Sequence, residues 1–331
     1  MVSFYQFLVM VGVKTFMYDK IKLFLQRNSG TPDISSYLDE AKEQTDLRTG
    51  EVNVFGSLEG IKVGLYVGGY SIVGSLAKYM YPSNIYPLDR KTTAQAIEKL
   101  SDSLHLDLKE ADVTGVEFGT QFLMRKPPQV YINKLGDMPR RKRLLCAEGT
   151  LYYTGTGRQQ RQRQKQVLCF YDKKADAAAK GLIMPKGFEE ANLLRYELRL
   201  NGRLPFQTGE RMVTASTLSE REFYRKLVSM WEDSYFSISK MNGIKQNVME
   251  EIKSVKDAKD VLFARLLSQS GKDVITDYLE ELKQNNVFKD SKYYTRAKNA
   301  LLDIANNQKA AVSDEDIKEL DDEVKNVGAY I

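Results

Sequence analysis

The stretch that most restricts this chain is Leu193-Leu-Arg-Tyr-Glu-Leu-Arg-Leu-Asn201, in which apolar and polar residues alternate strictly from Leu194 onward. Leu194, Tyr196, Leu198 and Leu200 face one way, and Arg195, Glu197, Arg199 and Asn201 the other. A period of two fits a half-buried strand rather than a helix. Its polar face sets one carboxylate between two guanidiniums. Upstream, Val167-Leu-Cys-Phe-Tyr171 is a short apolar run ending on a tyrosine, followed at once by Asp172, Lys173 and Lys174. A tyrosine nucleophile needs cations that favour phenolate, and carboxylates near enough to hold a metal on a phosphate. The same residues also suit a plain sheet protein whose strands carry solvated charges.

The remaining pattern is mixed. Strands are expected over 18–25, 61–67 and 112–124, the last with Val116, Phe118, Phe122 and Met124 on its apolar face and Glu117 and Gln121 opposite. Glu117 lies between Gly115 and Gly119, an open carboxylate with room above it. Residues 152–157 read as a strand running into a turn. Helices are expected over 34–43, over 91–106 with Thr92 or Thr93 as cap, and from a Ser219-x-x-Glu222 capping box to Lys240. The stripe of that last helix is Phe223, Leu227, Met230, Trp231 and Tyr235. Residues 204–213 read as a basic loop. Three further helical patterns between 245 and 308 are split at Ser270-Gly271 and Asn285-Asn286. The glycines of 68–74 are not spaced as a nucleotide-binding loop. The fold class is therefore α+β: a mostly antiparallel sheet with helices on one face, then a helical C-terminal domain. The expected divisions are an extension (1–16), a main domain (17–241), a helical domain (242–309) and an acidic tail (310–331).

Charge and rare residues narrow the chemistry. Eight lysines and arginines between Arg140 and Lys165 (Arg140, Arg141, Lys142, Arg143, Arg158, Arg161, Arg163 and Lys165) stand against one acid, Glu148. From 310 to 326, seven acids stand against two lysines. A basic middle and an acidic end fit a polyanion binder with a solvated or regulatory tail. A single histidine, His105, excludes any site needing a histidine pair, so a metal site here is built of carboxylates and favours magnesium or manganese. Cys146 and Cys169 form no disulfide framework and fit reduced thiols in a cytoplasmic protein. The apolar start, 4–13, is too short to span a bilayer and has no cleavage site, so neither a targeting segment nor a membrane partner is expected.

Three blocks, read in order, resemble the replication proteins of the filamentous-phage gene II/X type, relatives of the tyrosine initiators of rolling-circle plasmids. They are Gly115-Val116-Glu117, Tyr171-Asp-Lys173-Lys-Ala-Asp176 and Arg195-Tyr196-Glu197. The likeness runs from about Met17 to Lys240, with Gly74-Ser-Leu-Ala-Lys78-Tyr adding to it. It departs from the family where Glu117 replaces aspartate and where Gly115 replaces arginine. The resemblance implies a site-specific nicking-closing endonuclease of the phage or plasmid origin in a bacterial host. Tyr171 would form a 5′-phosphotyrosyl link and Lys173 would assist it. Glu117, Glu197 and Asp176 would hold Mg2+ or Mn2+. Lys78, Arg195, Arg199 and the Arg140–Lys165 arm would contact DNA, with Arg195 and Arg199 alternatively orienting Glu197. A host helicase and polymerase, and a homodimer, would be the partners. Two other readings stand beside it: a DNA-binding replication or regulatory protein of the same ancestry that does not cleave, and an interaction protein working through its helices and tail.

Overall fold

The computed structural model describes residues 17–27, 32–86, 88–156, 165–182, 184, 186–240, 243–244, 252–270, 273–305, 311–312 and 314–328. The expected extension at 1–16 and the arm residues Arg158, Arg161 and Arg163 lie outside the described residues.

Alternating sequence builds most of the sheet. Its strands are β1 (Met17–Gln26), β2 (Asp39–Thr45), β3 (Val52–Leu58), β4 (Ile61–Tyr66), β5 (Gly69–Ser75), β6 (Asp112–Met124), β7 (Arg141–Leu145), β8 (Leu151–Gly155), β9 (Lys165–Asp172) and β10 (Asn192–Asn201). They pair in the order β2-β3-β4-β5-β1-β6-β10-β9-β8-β7, and every pairing is antiparallel. β10, the strand read from alternation, runs between β6 and β9 near the middle. Leu194, Tyr196, Leu198 and Leu200 are buried on one face, where Tyr196 stacks between Phe170 and Trp231 at 4.2 and 4.6 Å.

Helices cover that apolar face. α1 (Leu76–Met80) follows β5 directly, and α2 (Arg90–Leu104) buries Ala96, Ile97, Leu100 and Leu104. Asp89, not Thr92 or Thr93, caps α2 by accepting from the Thr92 N–H at 2.8 Å. His105 ends it in a left-handed conformation with its ring 4.5 Å from that of Tyr37. α3 is Pro128–Ile132, and α4 (Lys173–Ala179) follows β9 at once, capped by Asp172. The basic loop expected over 204–213 begins instead as a short helix, α5 (Leu204–Thr208). α6 (Arg221–Phe236) buries Phe223, Leu227, Trp231 and Tyr235, while Met230 is partly exposed. The expected capping box is absent, because Ser219 belongs to a preceding 3-10 turn and its hydroxyl donates to the Ser216 carbonyl.

Two expectations fail more broadly. The helix expected over 34–43 is a 3-10 turn at 35–37 followed by β2, an exposed and heavily charged edge strand. Ile34 and Leu38 are buried four residues apart, which imitates a helical stripe. Charges on such an edge oppose pairing with other chains.

The C-terminal helices also divide unexpectedly. α7 (Val255–Ser270), α8 (Asp273–Gln284) and α9 (Ser291–Ala305) build a small core on Ile275 and Leu279. Short strands β11 (Gly243–Ile244) and β12 (Ala311–Val312) pair at the base of this unit, so it leaves and re-enters the chain at one place. The acidic segment after it is no solvated tail. It forms α10 (Glu315–Gly328), whose Leu320, Val324 and Val327 are buried in the main core. Its acids meet the basic edge around α3: Arg125 with Glu319 at 3.0 Å, Lys126 with Asp316 at 2.8 Å, and Lys134 with Asp314 at 2.7 Å.

Candidate active site around Tyr171

The register places the three sequence blocks side by side. Arg195 of β10 pairs with Tyr171 of β9 and Gln121 of β6, Glu197 with Cys169 and Gly119, and Arg199 with Val167 and Glu117. Paired residues in a sheet point to the same face, so these side chains converge. Gly119 permits the approach: a Cβ there would lie 2.2 Å from the Tyr196 carbonyl oxygen.

Glu197 is the hub. It is 1 % exposed, and its Oε1 accepts from the Tyr171 hydroxyl at 2.8 Å and from Arg195 Nε at 2.9 Å. Oε2 accepts from Arg199 Nε at 2.9 Å and Nη2 at 2.7 Å. Burial raises the carboxyl pKa, but the two guanidiniums win and hold it at about 2. Glu197 is therefore a fixed anion.

Arg195 is 0 % exposed. It donates to Asp19 Oδ2 at 3.0 Å and to the Asn84 carbonyl at 3.2 Å besides Glu197. All of these contacts face inward, an arrangement that suits the alternative expectation, orienting Glu197, better than an open phosphate contact. Arg199 does the same work at a more open position, its side chain 26 % exposed and lying 3.9 Å from Glu117.

Asp19 and Asn84 belong to no motif of the sequence. Asp19 is buried; its Oδ2 also accepts from Asn84 Nδ2 at 2.6 Å, and its Oδ1 accepts from the Ser75 hydroxyl. Asn84 in turn accepts from Lys173 Nζ at 2.9 Å. A chain of contacts thus runs from Tyr171 through Glu197, Arg195, Asp19 and Asn84 to Lys173. Lys173 stands over the Tyr171 ring, 5.8 Å from its centroid, and burial lowers its pKa to about 8.

The expectation that cations hold Tyr171 as a phenolate is not met. Burial, and then the Glu197 charge, push the phenol well above its ordinary range, so it rests protonated. The expected metal set does not assemble either. Both Glu197 oxygens are taken by donors, and Asp176 faces Lys180 at 2.6 Å and Lys173 at 3.6 Å. Among the described residues no group of three or more His, Cys, Asp and Glu is placed to hold an ion. Glu117 is the least engaged acid, and burial raises its pKa. As arranged, the three acids do not fit a shared divalent ion.

These side chains floor a cavity of about 590 Å3 lined also by Lys20, Lys62, Lys78, Tyr152 and Lys180. Lys78 of α1 is exposed at its rim. The basic hairpin is divided. Arg140 and Lys142 are exposed, whereas Arg141 donates to the Gln166 carbonyl at 2.8 Å and Arg143 to the Leu135 carbonyl at 3.0 Å. Arg141 and Arg143 hold the sheet edge together and are not open phosphate contacts. Lys165 opens β9 by backbone pairing with Asn201.

The fold is antiparallel α+β, and it carries a buried tyrosine–carboxylate–diarginine centre on the floor of an open, lysine-lined cavity. The sequence profile of a family described as the N-terminal part of the phage gene II replication-associated protein matches residues 53–233, more than half of the chain. The chain belongs to that family, the filamentous-phage gene II type of replication initiators, and its role lies in rolling-circle replication initiation. No curated protein matches the chain. Asp19 lies outside the matched residues. Among the described residues, no helix is long and apolar enough to cross a membrane.

Proposed function

We propose that the chain is a site-specific DNA nicking-closing enzyme acting on its phage origin, with Tyr171 as nucleophile. The observation that carries this is the 2.8 Å hydrogen bond from the Tyr171 hydroxyl to Glu197, itself locked by Arg195 and Arg199 at the floor of the cavity. The phenol oxygen forms a bond to phosphorus as the bond from phosphorus to the 3′ oxygen breaks. The phenolic proton is lost as attack proceeds and finally resides on the departing 3′ oxygen, while Glu197 stays ionised and holds the phenol in line. The products are a 5′-phosphotyrosyl link and a 3′-hydroxyl that primes synthesis; reversal by that hydroxyl rejoins the strand.

The surroundings have separate tasks. Glu197 fixes the direction of the phenol O–H. Lys173, cationic below pH about 8, and the partly open Arg199 face the charge that builds on the phosphate. Lys78, Arg140 and Lys142 offer exposed charge for the DNA backbone.

The test is denaturing-gel detection of a protein–DNA adduct on supercoiled plasmid carrying the protein's own locus, with magnesium, with manganese and with chelator. Wild type forms the adduct and Tyr171→Phe does not. An adduct surviving Tyr171→Phe moves the nucleophile to Tyr152, the other tyrosine lining the cavity. Tight DNA binding without any adduct in wild type leaves the non-cleaving replication protein in its place.

A further inference from the structure

The polar face of the sheet does not end at Tyr171. Pairing carries it across β6 and β1 to β5, β4 and β3. One row reads Asn201, Gly115, Lys22, Val73, Lys62 and Ser57, and the next reads Phe24, Ser71, Gly64 and Phe55, with Gln26, Gly69 and Tyr66 beyond. Rows two residues apart along a strand lie roughly 7 Å apart, so the lysine row and the aromatic rows are neighbours. The cavity at Tyr171 already reaches this region, since Lys20, Val73 and Lys62 line it.

Three rings lie here on the side away from the main core. Tyr66 is 37 % exposed, Phe24 and Phe55 are partly exposed, and none of them belongs to the buried cluster. The Phe55 and Tyr66 rings meet edge to face at 5.6 Å. They lie close over glycine backbone: a Cβ on Gly64 would come within 3.1 Å of Tyr66 and 3.3 Å of Phe55, and one on Gly69 within 2.8 Å of Phe24. Side chains at those glycines would lift the rings from the sheet. Three cations accompany them on the same face: Lys20, Lys22, which also donates to Asn201 at 2.7 Å, and Lys62, which is exposed.

Aromatic rings over a strand surface, interleaved with lysines and opening into the cavity at Tyr171, suit one class of ligand. Bases of an unpaired strand stack on rings, and lysines follow its phosphates; duplex DNA keeps its base faces hidden. We infer that the β1-β5-β4-β3 half of this face is a track for single-stranded DNA flanking the nick, with bases on Phe24, Phe55 and Tyr66 and phosphates on Lys20, Lys22 and Lys62. This rests on the reading of Tyr171 as the nicking residue, and it adds that the origin is held melted on one side of the cut.

The test measures binding of fluorescent single-stranded oligonucleotides by anisotropy. One is confined to the cleavage site, and others are lengthened by about eight nucleotides on either the 5′ or the 3′ side. Lengthening on one side tightens binding to wild type at least tenfold. Tyr66→Ala loses about five- to tenfold of that gain, and Lys62→Ala flattens its salt dependence by roughly 0.7 in slope. Melting temperature reports whether each variant is folded, and Tyr66→Trp restores the gain. A length effect that Tyr66→Ala and Lys62→Ala leave intact overturns the track. So does a Tyr66→Ala variant that loses thermal stability alone, which makes the rings a packing cover for Gly64 and Gly69. Adduct formation on the short oligonucleotide is scored separately. Its absence there and on the supercoiled plasmid defeats the nicking reading, while the length effect still stands or falls alone.

Discussion

Two arginine-rich regions of this protein differ in where their charge goes. In β10, Arg195 and Arg199 are held against Glu197, and Arg195 also against Asp19. In the β7 hairpin, Arg140 and Lys142 remain exposed while Arg141 and Arg143 grip carbonyl groups. The first region is an internal electrostatic frame for one tyrosine. The second is a sheet edge with a few cations left over for a polyanion. Both regions carry several arginines, so partner geometry, not composition, separates positioning charge from binding charge.

The sharpest way to break this contrast is at the frame's centre. Tyr171→Phe should abolish the covalent adduct while altering stability by only about 1 kcal/mol, because one hydrogen bond is lost. Glu197→Gln should lower unfolding free energy by about 3–5 kcal/mol in denaturant titration, since it strips two paired guanidiniums of their shared anion. Asp19→Asn should cost about 1–3 kcal/mol, as Arg195 keeps Glu197. A penalty for Asp19→Asn equal to that of Glu197→Gln would show that the frame has no single hub.

A smaller effect concerns pH. The folded pKa of Lys173, about 8, lies below its ordinary value of 10.5. Burying its charge therefore costs stability below pH 8, and the cost is relieved as pH rises from about 8 to 10.5. Activity moves the other way: adduct formation should fall as pH rises through about 8, and Lys173→Arg should remove that limb of the rate profile. Least affected is the hairpin. Lys142→Ala should change stability by less than about 0.5 kcal/mol. It should also reduce the salt slope of DNA binding by about 0.9 or less.

Much of the frame was legible. Alternation in 193–201 and the apolar run into Tyr171 put Glu197 and Tyr171 on polar faces, and pairing brought them together. Asp19 was hidden by a bulge. Tyr18 and Ile21, three residues apart, are both buried in the core because the register between β1 and β6 shifts there. An extra residue in one strand lets Asp19 and Lys20 both reach the cavity, which strict alternation forbids. Asn84 comes from a loop, where no period exists to read. The acidic segment misled for another reason. Its charges dominate its composition, but Ile317, Leu320, Val324 and Val327 recur at helical spacing and supply a buried stripe.

That last helix has a bearing on how the protein is made. The main core takes in Leu320, Val324 and Val327, residues translated after the whole α7–α9 excursion. A ribosome that has released the sheet and its tyrosine still holds back the piece that seals it. Chains cut short between β11 and β12 would present the bare α3 and α6 surfaces, with Tyr131, Tyr235 and Lys134 stripped of their acidic partners. The core beside α3 and α6 therefore closes only once that helix has been made.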